Sequence, residues 1–272
     1  LSGEWEASEI VQLNNPLSSE LGVMRPAMIF SAMQSASYNL NRQQADLKLF
    51  EFGNVYRVKN EGFKEEERLS ITVSGQAIAD HWRVADIDAD WFEVKGAFEM
   101  ILQRMGIDAS KLNAVETSND WFSFGMDWKK GDKVVVSAGA VSDKLKKAFD
   151  IKRDVFYLEL RWRDIVKMRQ RDIKIGQLPK FPEVRRDLAL LVDDAVEYAV
   201  LERLAIQTER KLLKSVRLFD VYQGKGLPAG KKSYALAFNL RDENKTLTDR
   251  EVDKTMDKLL KRFEQEVGAQ LR

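Results

Sequence analysis

The sequence predicts an α+β protein in two modules, and three observations lead there. Between Leu178 and Arg272 a strand, a helix, two strands, a helix and a short last strand follow one another, each with its own hydrophobic period. Ahead of that stretch, an apolar helical pattern runs into a long strand-like segment, so helix and sheet are mixed there too. Between the two, Gly176, Pro179 and Pro182 interrupt helix and sheet alike. The expected division is a module over residues 1–177 and a second over 178–272.

Composition bounds the possibilities. A chain of 272 residues, 44% hydrophobic and 10% aromatic, can fill two ordinary cores. No window approaches 18 consecutive apolar residues, and "LSGEWEASEI" lacks the features of a signal peptide. With no Cys, disulfides and thiolate metal sites are excluded, which fits a reducing cytoplasm. His81 is the single histidine, so multi-histidine metal sites and a His-Asp-Ser triad are excluded as well. A start at Leu1 rather than Met leads us to expect a fragment of a longer polypeptide. From Leu178 onward there are 19 Lys+Arg against 16 Asp+Glu, a net of +3; subtracting these from 44 and 43 leaves −2 for the rest. The second module is the slightly basic one, which is weak evidence for a polyanionic partner, since balanced solvated faces are the commoner explanation.

In the first module the spacing of Met28, Ala32, Met33, Ala36 and Leu40 predicts a helix over about 27–41, followed by the strand "LKLFEFGNVYR". Asp86, Asp88 and Asp90 imitate the opening of a calcium loop. Its sixth position, however, holds Trp91 instead of Gly and its twelfth Ala97 instead of Glu, so the run should instead lead into the helix "WFEVKGAFEMILQRMGI". "DWFSFGMDW" reads as an aromatic strand that builds a sheet or a subunit contact.

In the second module "RDLALLVD" alternates with Leu188, Leu190 and Val192 inward, and "EYAVLERLAIQTERKLL" has helical spacing. "SVRLFDVY" and "KSYALAFNLR" make two strands joined by a Gly/Pro hairpin. Thr248 and Glu251 then form a capping-box signature ahead of an amphipathic helix, and "AQLR" can pair at an edge. The order β-α-β-β-α-β is the ferredoxin-like arrangement, with two helices on one face of an antiparallel sheet and the other face open. Strand parity sends Tyr234, Leu236, Phe238 and Leu240 to the helices and Ser233, Ala235, Ala237, Asn239 and Arg241 to the open face. With Phe219 and Val221 as the core pair of the preceding strand, Asp220 and Tyr222 point outward. A ring beside an acceptor-only carboxylate, above a floor of alanines, suits a nucleobase: the ring stacks and the carboxylate takes N–H donors, of which guanine offers two. The same two residues also suit a turn cap and an ordinary half-exposed strand position. "GLPAGKKS" resembles a P-loop but has three residues between its glycines, Lys232 before the Ser, and a strand behind it, so nucleotide binding there is rejected. Lys225, Lys231, Lys232 and Arg241 are the candidate phosphodiester contacts.

"FPEVRRDLALLVD", "LFDVYQGKGLPAGKKSYALAFNLRDENKTLTDREVD" and "GAQLR" resemble the ferredoxin-fold anticodon-binding domain at the C-terminus of bacterial phenylalanyl-tRNA synthetase beta subunits. The resemblance implies that the module receives the anticodon of tRNA-Phe, with Asp220, Tyr222 and Ser233 at its first base, a guanine. Some members carry an aromatic one residue after the terminal Gly, where this chain has Ala269. "NNPLSSELGVMRPAMIFSAMQSASYNLNRQQADLKLFEFGNVYR" resembles the catalytic-like module of the same subunit, which is related to class II synthetase cores. Class II cores end the corresponding strand in aromatic-Arg-x-Glu. Here Arg57 is present but Lys59 replaces the glutamate, which implies a class II-like antiparallel sheet without the chemistry and without a catalytic residue.

The resemblance further implies a parent ligase that uses ATP and magnesium through a separate alpha subunit in an α2β2 assembly. It implies no cofactor or metal in this fragment. Met28, Met33, Tyr38, Trp121 and Trp128 are the residues expected to help bury the alpha subunit. Two other readings remain open. A ferredoxin-like small-molecule sensor is disfavoured because "VDDAVEYAV" has no glycine. A still-catalytic ATP-dependent ligase would need a saturable ATP site.

Overall fold

The computed structural model describes residues 6–16, 22–59, 62–170 and 178–272, and the chain divides into two compact units, Leu1–Lys174 and Ile175–Arg272. Gly176 and the expected boundary at residue 177 lie outside the described residues.

The elements of the first unit are α1 (Ile29–Leu40), β1 (Leu47–Lys59), β2 (Gly62–Ser74), β3 (Gln76–Ile78), β4 (Ile87–Asp88), α2 (Trp91–Arg104), β5 (Asn113–Glu116), β6 (Phe122–Lys130), β7 (Lys133–Val141), α3 (Asp143–Ala148), β8 (Val155–Arg161) and α4 (Trp162–Met168). Six strands form an antiparallel sheet in the order β1-β2-β8-β7-β6-β5. One face carries Leu158, Leu160, Val136 and Trp128, and α2 packs Val94, Phe98 and Leu102 onto it. The other face meets α1 at one end, where Ile29, Ala32, Met33 and Ala36 pack with Phe122, Val141, Val155 and Tyr157. Each fully buried Val, Leu, Ile, Met or Phe among them contributes roughly 1.5–3 kcal/mol of transfer free energy. Asp90 caps α2, accepting from the Phe92 N–H at 2.8 Å, so the acidic run does end in a helix start. His81 stays within its own turn, its Nδ1 accepting from the Arg83 and Val84 N–H groups.

Three of the residues expected at a subunit contact are instead interior. Met28 and Met33 are fully buried and Trp128 is 9% exposed, tilted onto Phe98 and stacked with Trp91. Their helix and strand spend these large side chains on the unit's own core, so they have no surface left for a partner. Trp121 is half-buried, edge-on to Phe30 at 6.2 Å. Tyr38 is exposed, with the Arg42 guanidinium 3.4 Å above its ring. Exposed large apolar groups of this unit also include Phe50, Phe52, Phe63, Trp82, Phe92 and Phe124.

The second unit contains β9 (Val184–Asp193), α5 (Tyr198–Thr208), β10 (Leu213–Tyr222), β11 (Lys231–Leu240), α6 (Asp249–Val267) and β12 (Gln270–Leu271). The sheet order β10-β11-β9-β12 is that of a ferredoxin-like fold. Leu190, Val192, Leu236, Phe238 and Leu240 form the sheet side of the core, against Leu201, Leu204 and Ala205 of α5 and Val252, Met256, Leu259 and Phe263 of α6. The Thr248–Glu251 capping box is formed at the start of α6. Gly268, at φ 63, ends that helix in the left-handed conformation that glycine adopts without strain. Ala269, just beyond, is buried in the core, so no ring at that position reaches the open face.

Candidate functional site

The open face of the second sheet is built from register. Ser233, Ala235, Ala237 and Asn239 of β11 lie opposite Leu191, Ala189, Asp187 and Arg185 of β9. Directly paired residues of an antiparallel sheet share a face, so all eight belong to the side away from the helices. On β10, Asp220 pairs with Ala235 and Tyr222 with Ser233, which places both on that side.

One residue departs from the parity that predicts it. Phe219 and Val221 are the expected core pair, but Val221, although its partner Tyr234 puts it on the helix side, is 48% exposed, and before it the pairing jumps from Leu218↔Leu236 to Asp220↔Ala235. Phe219 is the extra residue of a β-bulge. Val216 and Leu218 pack on the core, whereas Phe219 is 47% exposed, with the Arg185 guanidinium 5.4 Å from its ring centre. Because Arg185 belongs to the open face, the ring lies there too.

Around Tyr222 the geometry is set by backbone groups. Its hydroxyl donates to the Lys225 carbonyl at 2.8 Å, which ties the ring to the hairpin. The Arg272 guanidinium stands 5.1 Å from the ring centre, while the Arg272 N–H donates to the Ala189 carbonyl at 2.9 Å, so this side chain reaches across the face. Asp220 is exposed beside them, and Ser233, opposite Tyr222, is only 4% exposed. A ligand reaches the carboxylate and the ring directly, and the serine hydroxyl only after its neighbours shift.

The four candidate cations are not equivalent. Lys232 is 9% exposed and donates to the Asp194 carbonyl at 2.6 Å, with its ammonium 4.9 Å from the Tyr234 ring. Its register partner is Val192, so it points to the helix side, and the expectation that it meets phosphates is corrected. Lys231 pairs with Asp193 at 2.7 Å and Arg241 with Glu183 at 2.6 Å. Lys225 is exposed at the hairpin tip.

The first unit offers a second concave site, a cavity of about 380 Å³ on the polar side of its sheet, lined by Arg57, Arg68, Asp127, Glu159 and Arg161 among others. Among its arginines, Arg68 and Arg161 are matched by carboxylates. Arg68 pairs with Glu66 at 2.6 Å and with Glu159 at 3.6 Å, and Arg161 pairs with Glu66 and with Asp164. Burial alone would raise the Glu66 carboxyl, but the Lys64 hydrogen bond and the Arg68 and Arg161 charges outweigh it and hold the group below its usual value. Glu159, 6% exposed, accepts from the Tyr157 hydroxyl at 2.7 Å and from the Met28 N–H at the start of α1 at 3.2 Å. A triphosphate there would have to displace the carboxylates that already pair Arg68 and Arg161, so these residues do not fit ATP. Among the described residues no group of three or more His, Cys, Asp or Glu side chains is placed to hold a metal ion, and no helix is long and apolar enough to cross a membrane.

By architecture the second unit belongs with anticodon-binding modules of ferredoxin fold: residues 179–272 match the family model described as the ferredoxin-fold anticodon binding domain. Residues 3–162 match the model described as the phenylalanyl tRNA synthetase beta chain CLM domain, and the chain belongs to the phenylalanyl-tRNA synthetase beta chain family. The phenylalanine–tRNA ligase beta subunit of Bacteroides fragilis is 41% identical, covering 98% of this chain and 34% of that protein. The subunit of Bacteroides thetaiotaomicron is 42% identical with the same coverage, and that of Porphyromonas gingivalis 40% identical over 96% of this chain and 33% of its own length. The chain therefore spans about a third of the length of the curated relatives it matches.

Proposed function

We propose that this chain is the anticodon-reading and scaffolding part of a phenylalanyl-tRNA synthetase beta subunit, with the two modules divided at 177/178. The open face of the second sheet receives the anticodon of tRNA-Phe. Asp220 accepts the N–H donors of the first anticodon base, the Tyr222 ring stacks on it, and Ser233 completes the pocket once the side chains above it yield. Lys225, Lys231 and Arg241 serve the phosphates, the last two after exchanging their present carboxylate partners. The first unit packs on an alpha subunit that carries out the cytoplasmic, ATP- and magnesium-dependent charging reaction. No step of that reaction is assigned to this chain, because Arg68 and Arg161 of its cavity are already paired with Glu66, Glu159 and Asp164.

The observation that carries the reading is the register that sets Asp220 and Tyr222 side by side on an open sheet face, over Ala235 and Ser233. A carboxylate on guanine's two donors should confer roughly 1–3 kcal/mol of discrimination. In the assembled synthetase, Asp220→Ala is therefore expected to slow charging of tRNA-Phe with its native guanine far more than charging of a transcript carrying adenine there. Tyr222→Ala should slow both, since stacking tolerates any base. An equal loss on both transcripts with Asp220→Ala would make the aspartate a structural turn residue.

A further inference from the structure

The bulge leaves on the open face a second aromatic that the reading above does not use. A strand that turns Phe219 out of the core forgoes the gain of burying it, and bulges commonly serve to re-aim a side chain beside a binding site. The surroundings of this ring are ordered. Arg185, whose guanidinium stands over it, is fixed by two hydrogen bonds to Asp187, Nε to Oδ1 at 2.8 Å and the terminal nitrogen to Oδ2 at 3.0 Å. The floor is Ala237, 4% exposed, which pairs with Asp187 on one side and with Arg217 on the other. Arg217 is exposed, so a cation stands at the same level of the sheet as the ring.

These features match what a splayed single strand needs: a π-face for the base, a flat guanidinium beside it, and a cation for the phosphodiester. With the Asp187 carboxylate accepting from Arg185, what the position presents is a π-face and a guanidinium, and stacking on them tolerates any base. It is also continuous with the first pocket, since Phe219 precedes Asp220 in the chain and lies three residues, about 10 Å, from Tyr222 along the strand.

We propose that Phe219, with Arg185 held by Asp187, forms a second base platform that takes the nucleotide flanking the one read by Asp220 and Tyr222, with Arg217 on its phosphate. The proposal rests on the open face binding RNA as described above.

The test is a binding titration of the 272-residue chain with a synthetic hairpin carrying the anticodon loop of tRNA-Phe. It is repeated with an abasic site at each nucleotide flanking the first anticodon base. One of the two abasic hairpins should bind the wild-type chain about tenfold more weakly. Phe219→Ala should lose about the same on the intact hairpin and lose nothing further on that abasic one. Phe219→Leu, which keeps an apolar side chain at this exposed position but no π-face, should behave like Phe219→Ala. If wild type and Phe219→Ala respond equally to both abasic sites while Asp220→Ala still abolishes the preference for guanine, the second platform is wrong and the anticodon reading stands. If the chain binds no hairpin, or Asp220→Ala leaves the guanine preference intact, the anticodon reading fails and the second platform falls with it.

Discussion

The two units each leave one face of an antiparallel sheet partly polar, yet they use it in opposite ways. In the first, Arg57, Arg68 and Arg161 share their cavity with Glu159 and Asp127, and Arg68 pairs with Glu66 at 2.6 Å and with Glu159 at 3.6 Å. In the second, Asp220 stands exposed between two half-exposed rings, with no ion pair to it among the described residues. A carboxylate surrounded by matched donors stabilises the fold it belongs to, whereas one left in water beside an aromatic keeps its acceptor capacity for a ligand. The difference lies in whether the charge has been answered within the chain, rather than in how much charge a face carries.

The contrast is most directly broken by removing one carboxylate from each face. Glu159→Ala strips the buried Tyr157 hydroxyl and the Met28 N–H of their acceptor and should cost roughly 3 kcal/mol of stability. All six tryptophans precede residue 163, so tryptophan fluorescence during urea unfolding reports the first unit by itself. A loss under about 1 kcal/mol would mean that the network is not holding α1 to the sheet. Asp220→Ala should leave the unfolding of its own unit within about 0.5 kcal/mol of wild type while the guanine preference collapses. A large loss of stability there would erase the contrast.

Smaller effects sharpen the comparison at the edge of the second unit. Thr248→Ala removes the cap of α6 and should cost about 1 kcal/mol, seen as an earlier circular-dichroism transition. Its capping-box partner gives a pH signature. The Lys245 hydrogen bond, then the Thr248 N–H and hydroxyl, hold the Glu251 carboxyl at about 2 instead of the ordinary 4.5. The folded state thus resists protonation more than the unfolded state does. The contribution of Glu251 is complete above about pH 4.5 and is lost as the pH falls toward 2. Thermal melts across that window should show a shallower decline for Glu251→Gln than for wild type; equal slopes would assign the acid lability to other carboxylates.

Much of this molecule was legible in its sequence. Helical spacing at Ala32, Met33 and Ala36, alternation at Leu188, Leu190 and Val192, and Thr248 three residues before Glu251 are local signals, and the elements follow them. Asp220 and Tyr222 could be assigned outward by counting back from the hairpin, where the register is pinned by the turn. Counting forward from Val216 and Leu218 gives the opposite parity for Asp220. The two counts conflict, and the bulge reconciles them by spending one extra residue, so Phe219 and Asp220 both face outward. That conflict is the signal by which Phe219 could have been found.

What the sequence determined by itself is therefore the type, order and core side of the elements, because hydrophobic period is written in neighbours a few residues apart. The tertiary structure alone decided that Lys232 is spent on the Asp194 carbonyl, that Ser233 lies covered, that Met28 and Trp128 are interior, and that Glu159 caps a helix 131 positions away in the chain. Each of those outcomes depends on a group brought close by folding, and whether a polar side chain is answered or left free for a ligand is settled only when its distant neighbours arrive.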